Sequence, residues 1–169
     1  MFETLSILVH ADSKVGKTTL TSTAPLPLLI LDAEGSSKFL PGRKVGWDPM
    51  TGGPPIWDGS WDICVVNVLN FDTLVQVYSW LQFGGHNFRS LSLDSISEVQ
   101  RKCKTLLVGT EAMKMQDWGL LLTKMDSLIR GFRDLTLHPT CPIQVVMFVA
   151  ETRQNNKGKW VPYMQEIGR

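Results

Sequence analysis

Ala11-Asp12-Ser13-Lys14-Val15-Gly16-Lys17-Thr18 is a small residue, four others, then Gly-Lys-Thr, with Thr19 and Leu20 next. That spacing is the pattern of a phosphate-binding loop. Residues 5–10 just before it form a short apolar run of the kind that becomes a buried parallel strand, and residues 17–22 can begin a helix. Strand, loop and helix in this order is the context the pattern requires. Backbone N–H groups must curl around a phosphate at a positive helix end. Gly16 lets the backbone come close, Lys17 supplies a cation to the β- and γ-phosphates, and the Thr18 hydroxyl reaches Mg²⁺. The expected nucleotide contacts are therefore Ala11, Asp12, Ser13, Lys14, Val15, Gly16, Lys17, Thr18 and Thr19. Ala11 stands where glycine is commoner; a left-handed conformation there would cost about 1–2 kcal/mol. The bland alternative, a surface turn with a chance Gly-Lys-Thr, fits neither flank.

Composition narrows the rest. A chain of 169 residues that is 43% hydrophobic can bury one real core, so one domain over residues 1–169 is expected. Seventeen Lys and Arg against sixteen acids, a net charge of +1, argue against nucleic-acid binding by bulk charge and leave room for a local basic patch. Cys64, Cys103 and Cys141 are far apart and lack metal-ligand spacing, which fits reduced thiols in a cytoplasmic setting. His10, His86 and His138 show no ligand spacing either. The N-terminal apolar run is strand-length, too short for a signal peptide. Nothing approaches the roughly 18–20 apolar residues of a membrane span, so no membrane partner is expected.

Along the chain, Pro25 and Pro27 end the first helix. A second buried strand over residues 28–31 runs into Asp32, Ala33, Glu34 and Gly35. Carboxylates at the end of a parallel strand share the sheet edge with the phosphate-binding loop, which favours a functional Glu34 over a solvated turn. Residues 41–61 are rich in Gly and Pro and punctuated by Trp47, Trp57 and Trp61, a long insertion of the kind that is usually functional or mobile. Those tryptophans could stack on bases or pin the loop to the body; scarce nearby charge, Arg43 and Lys44, favours pinning. Residues 63–68 read as a third strand and 71–83 as an amphipathic helix ended by Gly84 and Gly85. Residues 90–95 read as a fourth strand finishing at Asp94, where an acid can hold Mg²⁺ through its water shell or cap the next helix. Helices are expected over 96–107 and 117–135, the latter with a broad apolar face that is core packing. A fifth strand over 143–150 ends at Glu151, Thr152 and Arg153, and a turn at residues 155–158 returns as a strand over 159–163.

Taken together, these segments carry a resemblance. Leu31 to Gly35 resembles the strand end of RecA proteins that bears their catalytic glutamate, and Leu93-Asp94-Ser95 resembles their Walker B strand. Phage-encoded RecA-like ATPases associated with single-strand annealing are more similar still. They share Ser13 to Leu20, Asp32 to Gly35, Asp94-Ser95-Ile96-Ser97-Glu98 and Gly158-Lys159-Trp160, over nearly the whole chain. The resemblance implies an α/β RecA-like P-loop fold, a mainly parallel sheet between helices with a C-terminal β-hairpin. It implies ATP and Mg²⁺ bound at Lys17, Thr18 and Asp94, with Glu34 activating water, and a homo-oligomer working on single-stranded DNA in the host cytoplasm. The hairpin cations Arg153, Lys157 and Lys159 would meet DNA phosphates, or form a plain solvated hairpin.

Two departures stand out. RecA proteins place glutamine where Glu151 or Thr152 stands here, and their DNA-binding loop is reduced here to a tight hairpin. Relatives also continue with further sheet strands past the position of Arg169, so the chain reads as C-terminally truncated. A GTPase is disfavoured, because Asn156-Lys157-Gly158-Lys159 has lysine where a guanine-reading motif needs aspartate. The expected activity is ATP hydrolysis in recombination or annealing. The alternatives are a module using ATP as a conformational ligand, and a P-loop packaging motor.

Overall fold

The computed structural model describes residues 4–12 and 14–162. Its centre is a sheet of six strands, β1 (Leu5–His10), β2 (Leu28–Asp32), β3 (Lys44–Gly46), β4 (Ile63–Asn67), β5 (Ser90–Asp94) and β6 (Val145–Ala150). They lie in the order β1-β6-β5-β2-β4-β3, and every neighbouring pair is parallel. The helices are α1 (Lys17–Thr21), α2 (Phe71–Gln82), α3 (Ile96–Val108) and α4 (Met115–Asp134). A separate antiparallel hairpin pairs β7 (Thr152–Gln154) with β8 (Trp160–Pro162). This is the α/β architecture of a P-loop nucleoside-triphosphatase fold, as the motif pattern predicts.

The fully buried strands β2 and β5 run in the middle, where both sheet faces must be covered and alternation disappears. One face packs α2, α3 and α4 over Leu29, Leu31, Cys64, Val66, Leu91 and Leu93. The other face is thinner, with Ala24 and Leu40 lying over Leu28, Ile30, Ile63 and Val65. Helix starts follow local capping chemistry. Asn70 Oδ1 accepts from the Thr73 N–H at 3.0 Å to open α2, and the Asp117 carboxylate accepts from the Lys114 N–H at 2.8 Å to open α4.

Most element limits fall within a residue of expectation, and the larger departures lie in the insertion, α4 and β6. The insertion over residues 41–61 contains a strand, β3, whose three residues carry no apolar run and so leave no periodic signal. Helix α4 begins two residues early, at Met115. Strand β6 begins at Val145; Gln144 leads into it by donating its N–H to the Arg89 carbonyl at 2.8 Å. Tyr163, assigned above to the last strand, lies outside the described residues.

The tryptophans pin their loop. Trp47 and Trp61 are buried against Phe88, with ring centroids 6.1 Å away in each case. Trp57 Nε1–H donates to the Trp61 carbonyl at 2.9 Å. From α2, Trp80 Nε1–H reaches the Pro49 carbonyl at 3.1 Å.

Candidate functional site

The loop after β1 is built from positive-φ residues that glycine or a tolerant side chain must supply. Lys14 has φ 66° and Gly16 φ 94°, so two residues turn left-handed and let the loop wrap. Ala11 is not among them, and the penalty considered for it does not arise. Ser13 lies outside the described residues. Lys17 Nζ folds over the loop and donates to the carbonyls of Ala11, at 2.9 Å, and Asp12, at 2.7 Å. Thr18 and Thr19 follow in the first turn of α1.

Sheet topology brings Asp94 to this loop. Strand β6 lies between β1 and β5, so one strand separates the loop-bearing strand from the acid-bearing one. The Thr18 hydroxyl donates to Asp94 Oδ2 at 2.6 Å. A second hydroxyl, Ser36, donates to the same oxygen at 3.0 Å, and the two hydroxyl oxygens stand 3.3 Å apart. Three hard oxygen donors converging beside a lysine suit a small divalent cation such as Mg²⁺. Among the described residues no cluster of three or more His, Cys, Asp or Glu could hold a metal. A cation here would thus complete its shell with water or phosphate oxygens.

Ser36 is invisible to motif reading, and so is what places it. Asp32, register partner of Asp94 across β2 and β5, is buried. Its Oδ1 accepts from the N–H groups of Glu34 at 3.1 Å, Gly35 at 2.7 Å and Ser36 at 3.2 Å. Its Oδ2 accepts from the Ser37 N–H at 3.0 Å and from the Ser37 hydroxyl. Gly35, at φ 78°, completes a turn into a short 3-10 helix over Ser36–Phe39. One buried carboxylate thus aims Glu34 and Ser36 at the loop. The open cleft they border, about 430 Å³, is lined by Lys17, Thr18, Glu34, Ser36, Phe39 and Asp94 among others. Phe39 is 89% exposed.

The acids around the cavity have different surroundings. Burial of the Glu34 carboxyl pushes its pKa up; the Ser95 hydroxyl that donates to it pulls it down, Asp94 and Glu151 push it up, and Lys17 opposes them. Glu98 is turned away along α3, where its carboxylate meets Arg101 at 2.7 Å and Lys102 at 3.8 Å. Its backbone N–H donates to Ser95 Oγ at 3.4 Å, which caps the start of α3. Glu151 follows β6 directly and pairs with Arg101 at 3.1 Å.

Arg153 lies on β7, while Lys157 and Lys159 are exposed around the turn to β8. Asn155 Oδ1 shapes that turn by accepting from the N–H groups of Lys157 at 2.9 Å and Lys159 at 3.0 Å. Beside Lys159 stands Trp160, 56% exposed, an aromatic the charge count passes over.

A phosphate-loop helix start, an acid one strand removed and a turn of hydroxyl and carboxylate between them define a P-loop nucleotide-binding fold. The family model described as AAA domain matches residues 3–166, and the chain belongs to that family. No curated protein matches it. No helix among the described residues is long and apolar enough to cross a membrane.

Proposed function

We propose that this AAA domain binds MgATP in the 430 Å³ cavity and hydrolyses it. The observation that supports the reading most is the meeting of Thr18, Ser36 and Asp94 oxygens beside Lys17, with Glu34 across the same cavity. Gly16, Lys17 and Thr18, with Lys14 and Thr19, would hold the phosphates. Bound there, Mg²⁺ would neutralise charge on the β- and γ-phosphate oxygens. Thr18 and Asp94 would hold it, with Ser36 beside them. Glu34, held by Ser95, would accept a proton from the attacking water. The test is phosphate release with and without single-stranded DNA, alongside calorimetric MgATP binding and a size-exclusion mass. Tight binding without release would instead favour ATP as a conformational ligand.

Phe39 extends the reading. An exposed aromatic ring on the rim of a nucleotide cavity is a platform for a base, and such stacking contributes about 1–3 kcal/mol. Phe39→Ala is expected to weaken MgATP binding by roughly fivefold or more while leaving binding of inorganic triphosphate unchanged. Equal losses for both ligands would remove the base contact.

The partner we propose is single-stranded DNA, in recombination or annealing of the kind served by phage RecA-like ATPases, with the chain acting as a homo-oligomer. The hairpin supports this: Arg153, Lys157 and Lys159 lie within seven residues of one another in sequence, with Trp160 exposed beside them. Replacing the three cations with alanine should lower the salt slope of single-strand binding by about 0.7 per lost phosphate contact, roughly two units in all. An unchanged slope would move the contact to another surface.

A further inference from the structure

Ser95 serves two neighbours with one hydroxyl. It is fully buried. Its Oγ accepts the Glu98 N–H at 3.4 Å, which starts α3, and its O–H donates to Glu34 Oε1. A serine hydroxyl has one proton and two lone pairs, so both bonds form together. The proton goes to a carboxylate, the stronger class of acceptor. Asp32 fixes the backbone of the Glu34 turn, but the glutamate side chain beyond Cα keeps its own rotatable bonds. Ser95 restrains that remaining freedom at the carboxylate itself.

The start of α3 is tied in turn to the chain after β6. Ser97 Oγ accepts the Glu151 N–H at 3.1 Å. Arg101 spans Glu98, at 2.7 Å, and Glu151, at 3.1 Å. Thr152, the next residue, has its hydroxyl oxygen 3.3 Å from His10 Nδ1 at the end of β1. A continuous path therefore runs from the hairpin root through two turns of α3 to the Glu34 carboxylate. Partly exposed ion pairs such as these contribute little to stability, so their consequence should be sought in placement rather than in melting.

The geometry points to Ser95 as the positioning residue for Glu34, with Arg101 and Glu151 holding α3 so that Ser95 stands where Glu34 needs it. This rests on Glu34 as the base for ATP hydrolysis.

The test is a set of double-mutant cycles on single-turnover ATP hydrolysis. Ser95→Ala should slow turnover about tenfold, the size expected for one hydrogen bond to a charged group, with MgATP affinity within about twofold of the native value. Loss of the cap will also lower the melting temperature by a few degrees, which a purely structural role shares. The discriminating readout is the background: in Glu34→Gln, Ser95→Ala should slow turnover no further. Arg101→Met, at a half-exposed position that leaves folding intact, should slow turnover about threefold, and no further once Ser95 is alanine. Additive losses in either cycle, or native turnover in both single variants, would overturn the proposal. A slow Glu34→Gln with a native Ser95→Ala would end the Ser95 role and leave the base standing. Native turnover in Glu34→Gln would end the base assignment, and the positioning role with it.

Discussion

Lys17→Ala is expected to abolish measurable MgATP binding. The triphosphate brings up to four negative charges to a loop whose other attractions are backbone N–H dipoles and the Lys14 ammonium. Lys17 is the side-chain cation at the head of α1, and its Nζ already reaches the carbonyls of Ala11 and Asp12 on the loop. Charge-assisted hydrogen bonds are about twice as strong as neutral ones, and hydrogen bonds to charged groups contribute about 1.5–3 kcal/mol each. An ammonium contacting two phosphates would thus account for about 3–6 kcal/mol, two to four orders of magnitude in affinity. Isothermal titration calorimetry on the variant, with circular dichroism to show an intact fold, checks this. Near-native affinity would sink the phosphate-loop assignment.

The second large effect belongs to Glu34. Glu34→Gln should bind MgATP normally and hydrolyse it at least about a hundredfold more slowly, since loss of a general base typically lowers rates by ~10²–10⁴. Glu98→Gln should keep most of its activity. Its carboxylate is engaged with Arg101 and Lys102 on α3, and the capping contact it makes is through its backbone N–H, which the change leaves in place. The pH dependence carries the same signature. A base works deprotonated, and burial with Asp94 and Glu151 nearby raises Glu34 above the ordinary 4.5 of a glutamate. Turnover should therefore fall as pH drops through that raised value, at higher pH than an unperturbed carboxylate would give, and the fall should vanish in Glu34→Gln. A reversed pattern in the Glu34 and Glu98 variants would make Glu98 the base.

What could be read ahead of the structure was local. The loop pattern, its strand and the acid at the end of residues 90–94 are contiguous signals, and strand-end placement alone puts Asp94 on the loop's side of the sheet. Ser36 could not be read, because its meeting with Asp94 depends on the β2–β5 register and on a turn shaped by Asp32. No spacing rule encodes that a buried Asp would bond four successive N–H groups. Ser95 is ambiguous in sequence for the same reason: a helix cap is a local inference, while its bond to Glu34 spans 61 residues. Scarce charge around the tryptophans favours pinning over stacking, but not what they pin to: Phe88, which lies against two of them, is on a segment with no strong pattern of its own. Strand β3 left no trace because three edge residues need no apolar periodicity.

The thin face of the sheet has a thermodynamic consequence. Among the described residues β1 pairs on one side, with β6. Leu5 is 52% exposed and Leu20, in the five-residue α1, is 51% exposed. Segments with few apolar neighbours and a single ladder open locally at a small fraction of the global unfolding free energy. The edge carrying the phosphate-binding loop should therefore come loose and re-form while β2 and β5 stay closed. A triphosphate held by Lys17 and Thr18 and, through its cation, by Asp94 would fasten that labile edge to the rigid centre. Some of its intrinsic affinity would be spent on this ordering, so any partner that covers β1 beforehand should make the nucleotide bind more tightly without touching it.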